Sequence, residues 1–143
     1  MTMPLTYKAA NAYLNHLVGA QSAYVWTTYL GLSTTAPNRD GSGYTEPTKS
    51  SGYARVSFGG AGLDASSMGG ASLGAITNKT TIFFPEATAS WGKLTYYLIF
   101  DKEKDGELLA YGPLDDPISP EKGKVPIIRE GNLTMTMRLC YGS

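Results

Sequence analysis

One run constrains this chain more than any other, Leu94-Thr-Tyr-Tyr-Leu-Ile-Phe-Asp101. Successive side chains of a strand point to opposite faces, so Leu94, Tyr96, Leu98 and Phe100 share one face and Tyr97 and Ile99 the other. Both faces are apolar, which predicts a central strand covered on two sides. Such a strand needs neighbours, and the sequence offers them as short runs between turn signals. Residues 24–32 are rich in β-branched and aromatic residues, as strands are. Strands are also expected at 54–58 and at 80–84, where Pro85 stops the run. Asp105-Gly106 predicts a hairpin turn into 107–111. Pro126 places 125–129 at an edge or a bulge, because proline donates no ladder hydrogen bond. In the last run Leu133, Met135, Met137 and Leu139 alternate with Thr134, Thr136, Arg138 and Cys140, one buried and one polar face. About seven short strands predict a mostly β single domain, an antiparallel β-sandwich or jelly roll.

One helix precedes the strands, over about residues 6–18. Ala10, Tyr13, Leu14, Leu17 and Val18 recur at helical spacing and line one face, which is expected to dock on the sandwich. Thr6 can cap its start, and Gly19 can end it in a left-handed conformation. Residues 37–51 read as a polar loop. The segment 59–74 holds six glycines among small residues, a composition that builds no packed element and suggests a mobile loop or an arm ordered by a neighbour.

The 143 residues allow one domain with a real core. Lys plus Arg equals Asp plus Glu at 12 each, so nothing here draws the chain to nucleic acid or an anionic membrane. Charged residues make up 17% while tyrosine is plentiful, which suits protein contacts. A single cysteine, Cys140, excludes an internal disulfide. The start lacks the marks of a secretion signal and no apolar run matches a membrane span, so the chain reads as made in the cytosol. Asn78-Lys-Thr80 and Asn132-Leu-Thr134 match the glycosylation sequon, without consequence in that compartment.

No pattern here assembles a reaction centre. Gly60-Ala-Gly-Leu-Asp-Ala65 fits a dinucleotide fingerprint, but the residues after it are not helical, so no helix N-terminus would hold a phosphate. Asp101 to Gly106 resembles half of a calcium loop whose closing acid is missing, and reads as a solvated hairpin tip. His16 is the only imidazole and has no recognisable partner. Cys140 reads as a small buried or interface thiol. Asp115 and Asp116 are neighbours on an extended chain and diverge, so they do not form a carboxylate pair for sugar hydrolysis. Tyr24, Trp26, Tyr29, Trp91, Tyr96 and Tyr97 could stack on sugars, although aromatic residues at strand positions belong more often to cores or interfaces. The expectation is no catalytic residue, no cofactor and no metal. Candidate subunit contacts are Tyr24, Trp26, Tyr29, Gly59, Gly60, Met68, Gly69, Gly70, Trp91 and Tyr97.

Several segments carry a likeness in order along nearly the whole chain. They are Tyr29-Leu-Gly-Leu-Ser-Thr-Thr-Ala-Pro37, Gly43-Tyr-Thr-Glu-Pro47, Gly52-Tyr-Ala-Arg-Val56, Phe84-Pro-Glu-Ala-Thr-Ala-Ser-Trp-Gly92, Leu98-Ile-Phe-Asp101 and Leu108-Leu-Ala-Tyr-Gly112. With these the sequence resembles small virion structural proteins of tailed bacteriophages, commonly labelled tail fibre or minor structural proteins, some of them capsid decoration or cement proteins. The resemblance implies a non-enzymatic virion component that binds other phage virion proteins and forms a symmetric homo-oligomer, a trimer or another assembly. A carbohydrate-binding module for host recognition is the alternative. The Gly-rich segment 59–74 is longer than in that pattern.

Overall fold

The structure is a computed structural model and describes residues 5–19, 28–57 and 75–136. The run that opened the sequence forms β5 (Leu94–Phe100) and is central as predicted. It pairs antiparallel with β1 (Tyr29–Ser33) on one side and with β6 (Leu108–Ile118) on the other. β2 (Val56–Ser57) adds to the far side of β1, giving the order β2-β1-β5-β6. Register puts Leu30 opposite Ile99, Leu32 opposite Tyr97 and Ile99 opposite Ala110. These side chains cover one face and are buried with Leu114, Trp91, Phe84, Ile82, Ile128 and Leu133 in the main core. The opposite face carries a smaller cluster of Leu98, Phe100, Leu108 and Tyr111, flanked by Tyr44 and Tyr96.

Leu94 departs from the expected alternation. The β5–β6 register shifts between Leu94 and Tyr96, and Leu94 packs in the main core rather than with Leu98 and Phe100. Over that shift β5 runs from Leu94 to Tyr96 while β6 runs from Pro113 to Ile118, so the extra residues belong to β6.

Two short ladders complete the described strands. β3 (Ala75–Thr77) pairs with β8 (Thr134–Thr136), and β4 (Ile82–Phe83) pairs with β7 (Ile127–Ile128). Ile82 and Ile128 reach the main core, so the β4–β7 ladder lies over one face of the four-stranded sheet. The chain is mostly β with one N-terminal helix, and its sheets are antiparallel. Among the described residues three separate sheets are present, with no closed sandwich or jelly roll. Residues 24–27 and 137–140 of the expected strands, and the expected arm at 59–74, lie outside the described residues.

The helix α1 spans Tyr7–Leu17. Thr6 caps it as predicted, its hydroxyl accepting the Ala9 N–H at 3.4 Å, and Gly19 takes a left-handed φ of 73°. The same hydroxyl donates to the Leu108 carbonyl at 2.6 Å. Thr6 N–H donates to the Leu109 carbonyl at 2.8 Å, and Leu5 bridges to Ala110. The start of the helix is thereby tied to β6. Its apolar face is not docked as expected. Ala9 is the buried residue, whereas Tyr13, Leu14, Leu17 and Val18 are 50%, 56%, 67% and 75% exposed. Helical periodicity tells which residues share a face and leaves open what covers that face.

Candidate functional site: a clamped groove and two apolar surfaces

Residues 44–55 run from a polar loop through a 3-10 turn (Lys49–Ser51) into β2. Gly52 closes that turn at φ 87°, where a Cβ would meet the Glu86 carbonyl at 2.6 Å, so only glycine fits. Beyond it the extended chain presents Tyr53 and Arg55 on one side, as the earlier stretch presents Tyr44 and Glu46. The four side chains converge. Arg55 meets the Glu46 carboxylate in two hydrogen bonds, Nε to Oε2 at 3.0 Å and NH2 to Oε1 at 2.7 Å. Its NH1 donates to the carbonyls of Lys102 and Asp105, each at 2.8 Å, and the guanidinium lies 3.4 Å above the Phe100 ring centroid. Four of the roughly five N–H groups of an arginine are thus engaged. The charge braces the β5–β6 hairpin and is not free to meet a ligand.

Tyr53 donates its hydroxyl to Glu46 Oε2 and accepts the Leu32 N–H at 3.1 Å. Burial, with the neighbouring Glu46 charge, pushes its pKa far above the ordinary phenol range. Around this clamp lies a groove of about 370 Å³ lined by Tyr44, Pro47, Lys49, Glu103 and Lys104 among others. At the hairpin tip Asp105 and Gly106 both have positive φ, 54° and 72°, as the Asp-Gly pair predicts. Asp101 Oδ1 there accepts the Glu107 N–H at 2.8 Å, a contact that closes the turn.

A first apolar surface is the exposed face of α1. A second lies on the β4–β7 ladder, where Phe83 is 64% and Val125 47% exposed and Ile127 stands opposite Phe83. A groove of about 280 Å³ adjoins it, lined by Ile127, Arg129, Asp115, Asp116 and Asn132 among others. Asp115 and Asp116 are exposed, and Asn132 Nδ2 reaches Asp116 Oδ2 at 3.4 Å.

Three of the predicted contact residues fall within the described structure, and they are not alike. Trp91 is buried, donates its indole N–H to the Ser51 carbonyl at 2.8 Å and meets Tyr53 edge to face at 5.3 Å. Tyr97 is buried with its ring over Gly112; burial first, then the Asp115 charge, pushes its pKa upward. Both are buried in the main core of the described residues. Tyr29, at the start of β1, is half-buried. Tyr24, Trp26, Gly59, Gly60, Met68, Gly69, Gly70 and Cys140 lie outside the described residues, as does the 60–65 fingerprint. His16 lies in α1. The Glu46–Arg55 clamp was not among the candidates, although the Tyr-x-Glu and Tyr-x-Arg spacings at 44–46 and 53–55 were available as a signal.

A family model described as podophage GP4 fiber I protein gp80 matches residues 4–136, most of the chain. No curated protein matches the chain.

Proposed function

The chain belongs to the Gp80 family of podophage fibre proteins, and from that premise we propose that it works as a small non-enzymatic accessory subunit by packing against other virion proteins. The observation that carries this reading is the helix α1, which holds an apolar face out to solvent. Exposed apolar area costs roughly 25 cal/mol per Å² relative to burial, so such a face is stabilised when another surface covers it. The family match supports a fibre placement over a capsid shell. A symmetric homo-oligomer fits the same face, since one exposed patch repeated on every copy can be covered by its own kind. The two-layer packing of the β4–β7 ladder on the sheet supports the finer reading of a β-sandwich. The Gly-rich segment 59–74 belongs to this reading as an arm ordered by a neighbour.

Cross-linking mass spectrometry on purified particles tests the packing claim, through amine links from Lys8, Lys49 and Lys104. Links to a different virion protein are expected; a chain present in the particle without any such link would sink the reading. Limited proteolysis tests the arm. Cleavage within 59–74 in the free protein and protection in the particle are expected, and equal cleavage in both removes that part.

A further inference from the structure

The groove of about 280 Å³ beside the β4–β7 ladder is lined without a gap by residues 114–119 and 127–129. Successive side chains of a strand point to opposite faces, so a groove touched by every residue of such a run follows the edge of the strand. One wall is therefore the edge of β7 and the other the edge of β6. Ile128 stands opposite Ile82, and Phe84 N–H donates to the Pro126 carbonyl at 3.0 Å, which makes 126 and 128 the hydrogen-bonded positions of the ladder. Ile127 between them turns its N–H and C=O away from β4, and Val125 and Arg129 turn their N–H groups the same way. Among the described residues no backbone carbonyl meets any of these three donors. We infer that this edge receives an extended, lysine- or arginine-bearing segment of another virion protein, which pairs with it as an added strand.

Backbone, side chains and charge each select that occupant. Donors repeated at every second residue match the carbonyls of an extended chain. The edge lies beside the β6 wall, so a single segment can enter where a second folded copy, bringing its own β6 wall, cannot. A segment residue paired with Ile127 shares its face and lands beside Ile127 and the exposed Phe83, where an apolar side chain fits. Across the groove Asp115 and Asp116 are exposed. Arg129 also lines the groove but forms no ion pair with either aspartate among the described residues. Their charge is therefore open to a cation from outside the chain. Pro113 and Pro117 leave the β6 wall short of N–H groups, so the added strand draws its pairing from β7 and growth stops at one strand.

This inference rests on the reading that the chain packs against other virion proteins, yet the two fail separately. Amine links from Lys8, Lys49 and Lys104 report packing elsewhere on the surface, whereas the β7 edge reports through its own amides. Hydrogen exchange is measured on the free protein and on purified particles. The Val125 and Ile127 amides are expected to exchange fast in the free protein and about tenfold more slowly in the particle, while Ile128, already paired with Ile82, is protected in both. A benzophenone carried on Ser119→Cys, in a Cys140→Ser background, is expected to cross-link on illumination to an extended, basic segment of a different virion protein. Ile127→Pro deletes the central donor and leaves the Ile128–Ile82 pair in place, and is expected to abolish that cross-link, whereas Ile127→Val keeps it. Should Ile127→Pro not fold, Asp115→Asn combined with Asp116→Asn, both at exposed positions, takes its place and is expected to lower the cross-link yield about tenfold. Equal exchange of the Val125 and Ile127 amides in both states, a cross-link confined to copies of this chain, or one that persists at full yield in these variants would each overturn the inference.

Discussion

Where the turn after β3 meets the loop before β8, Asn78 is buried with its side-chain amide fully used. Nδ2 donates to the carbonyls of Thr80 and Arg129 at 2.9 and 3.0 Å, and Oδ1 accepts the N–H groups of Gly131 and Leu133 at 3.1 and 3.0 Å. The geometry requires two donors and two acceptors, which the amide has and a carboxylate lacks. Asn78→Asp keeps the shape and sets a carboxylate oxygen against two carbonyls. We expect a loss of about 3 kcal/mol, read as a lower urea midpoint with an unchanged slope. The same commitment bars the sequon at Asn78 from modification in the folded chain. Gly112 is constrained differently: a Cβ there would lie 2.6–2.7 Å from the Tyr97 ring directly across the sheet. Gly112→Ala should cost about 1–3 kcal/mol through displacement of that ring, seen as a lower thermal midpoint.

At the scale of elements, the β5–β6 hairpin depends on a residue from outside it. Arg55 reaches two carbonyls of the 101–106 tip and Phe100 at the end of β5 while Glu46 holds its other edge. Lysine has the charge without the planar fork or the stacking face. Arg55→Lys should cost about 2 kcal/mol and raise amide exchange at Asp101 and Glu107 more than at residues 94–98. The two motifs that form the clamp were legible as strings, but nothing in either string shows that a loop and a strand meet over a third segment. β5 was legible because apolar residues on both faces admit one position in a sheet. The irregular β5–β6 register near Leu94 was not, since register belongs to two strands and not to one sequence. The helix was legible down to its caps. Its uncovered face was not, because an amphipathic pattern is the same whether the covering surface belongs to this chain or to another. Trp91 and Tyr97 could have been core or contact for the same reason.

For the molecule as a whole, two buried phenols set the alkaline limit. Tyr53 and Tyr97 have folded pKa values above the ordinary value. Below about pH 10 both are neutral in either state and stability is independent of pH on their account. Above it the unfolded chain loses protons that the folded chain retains, so stability falls as pH rises, by up to about 1.4 kcal/mol per pH unit per tyrosine. Urea midpoints measured from pH 9 to 11.5 should show that decline, and Tyr97→Phe should halve its slope. A slope unaffected by Tyr97→Phe would show that Tyr97 ionises freely in the folded state.

The outer side of β6 bears on how such molecules can be crowded together. Leu5 and Thr6 occupy it at Leu109 and Ala110, and further along it carries Pro113 and Pro117, with Asp115 and Asp116 exposed between them. Proline offers no N–H to an incoming strand, and paired negative charges repel a second copy of the same edge. Copies held at high local density therefore cannot grow a continuous sheet from this edge. Close approach is left to side-chain surfaces, which can close on themselves and stop.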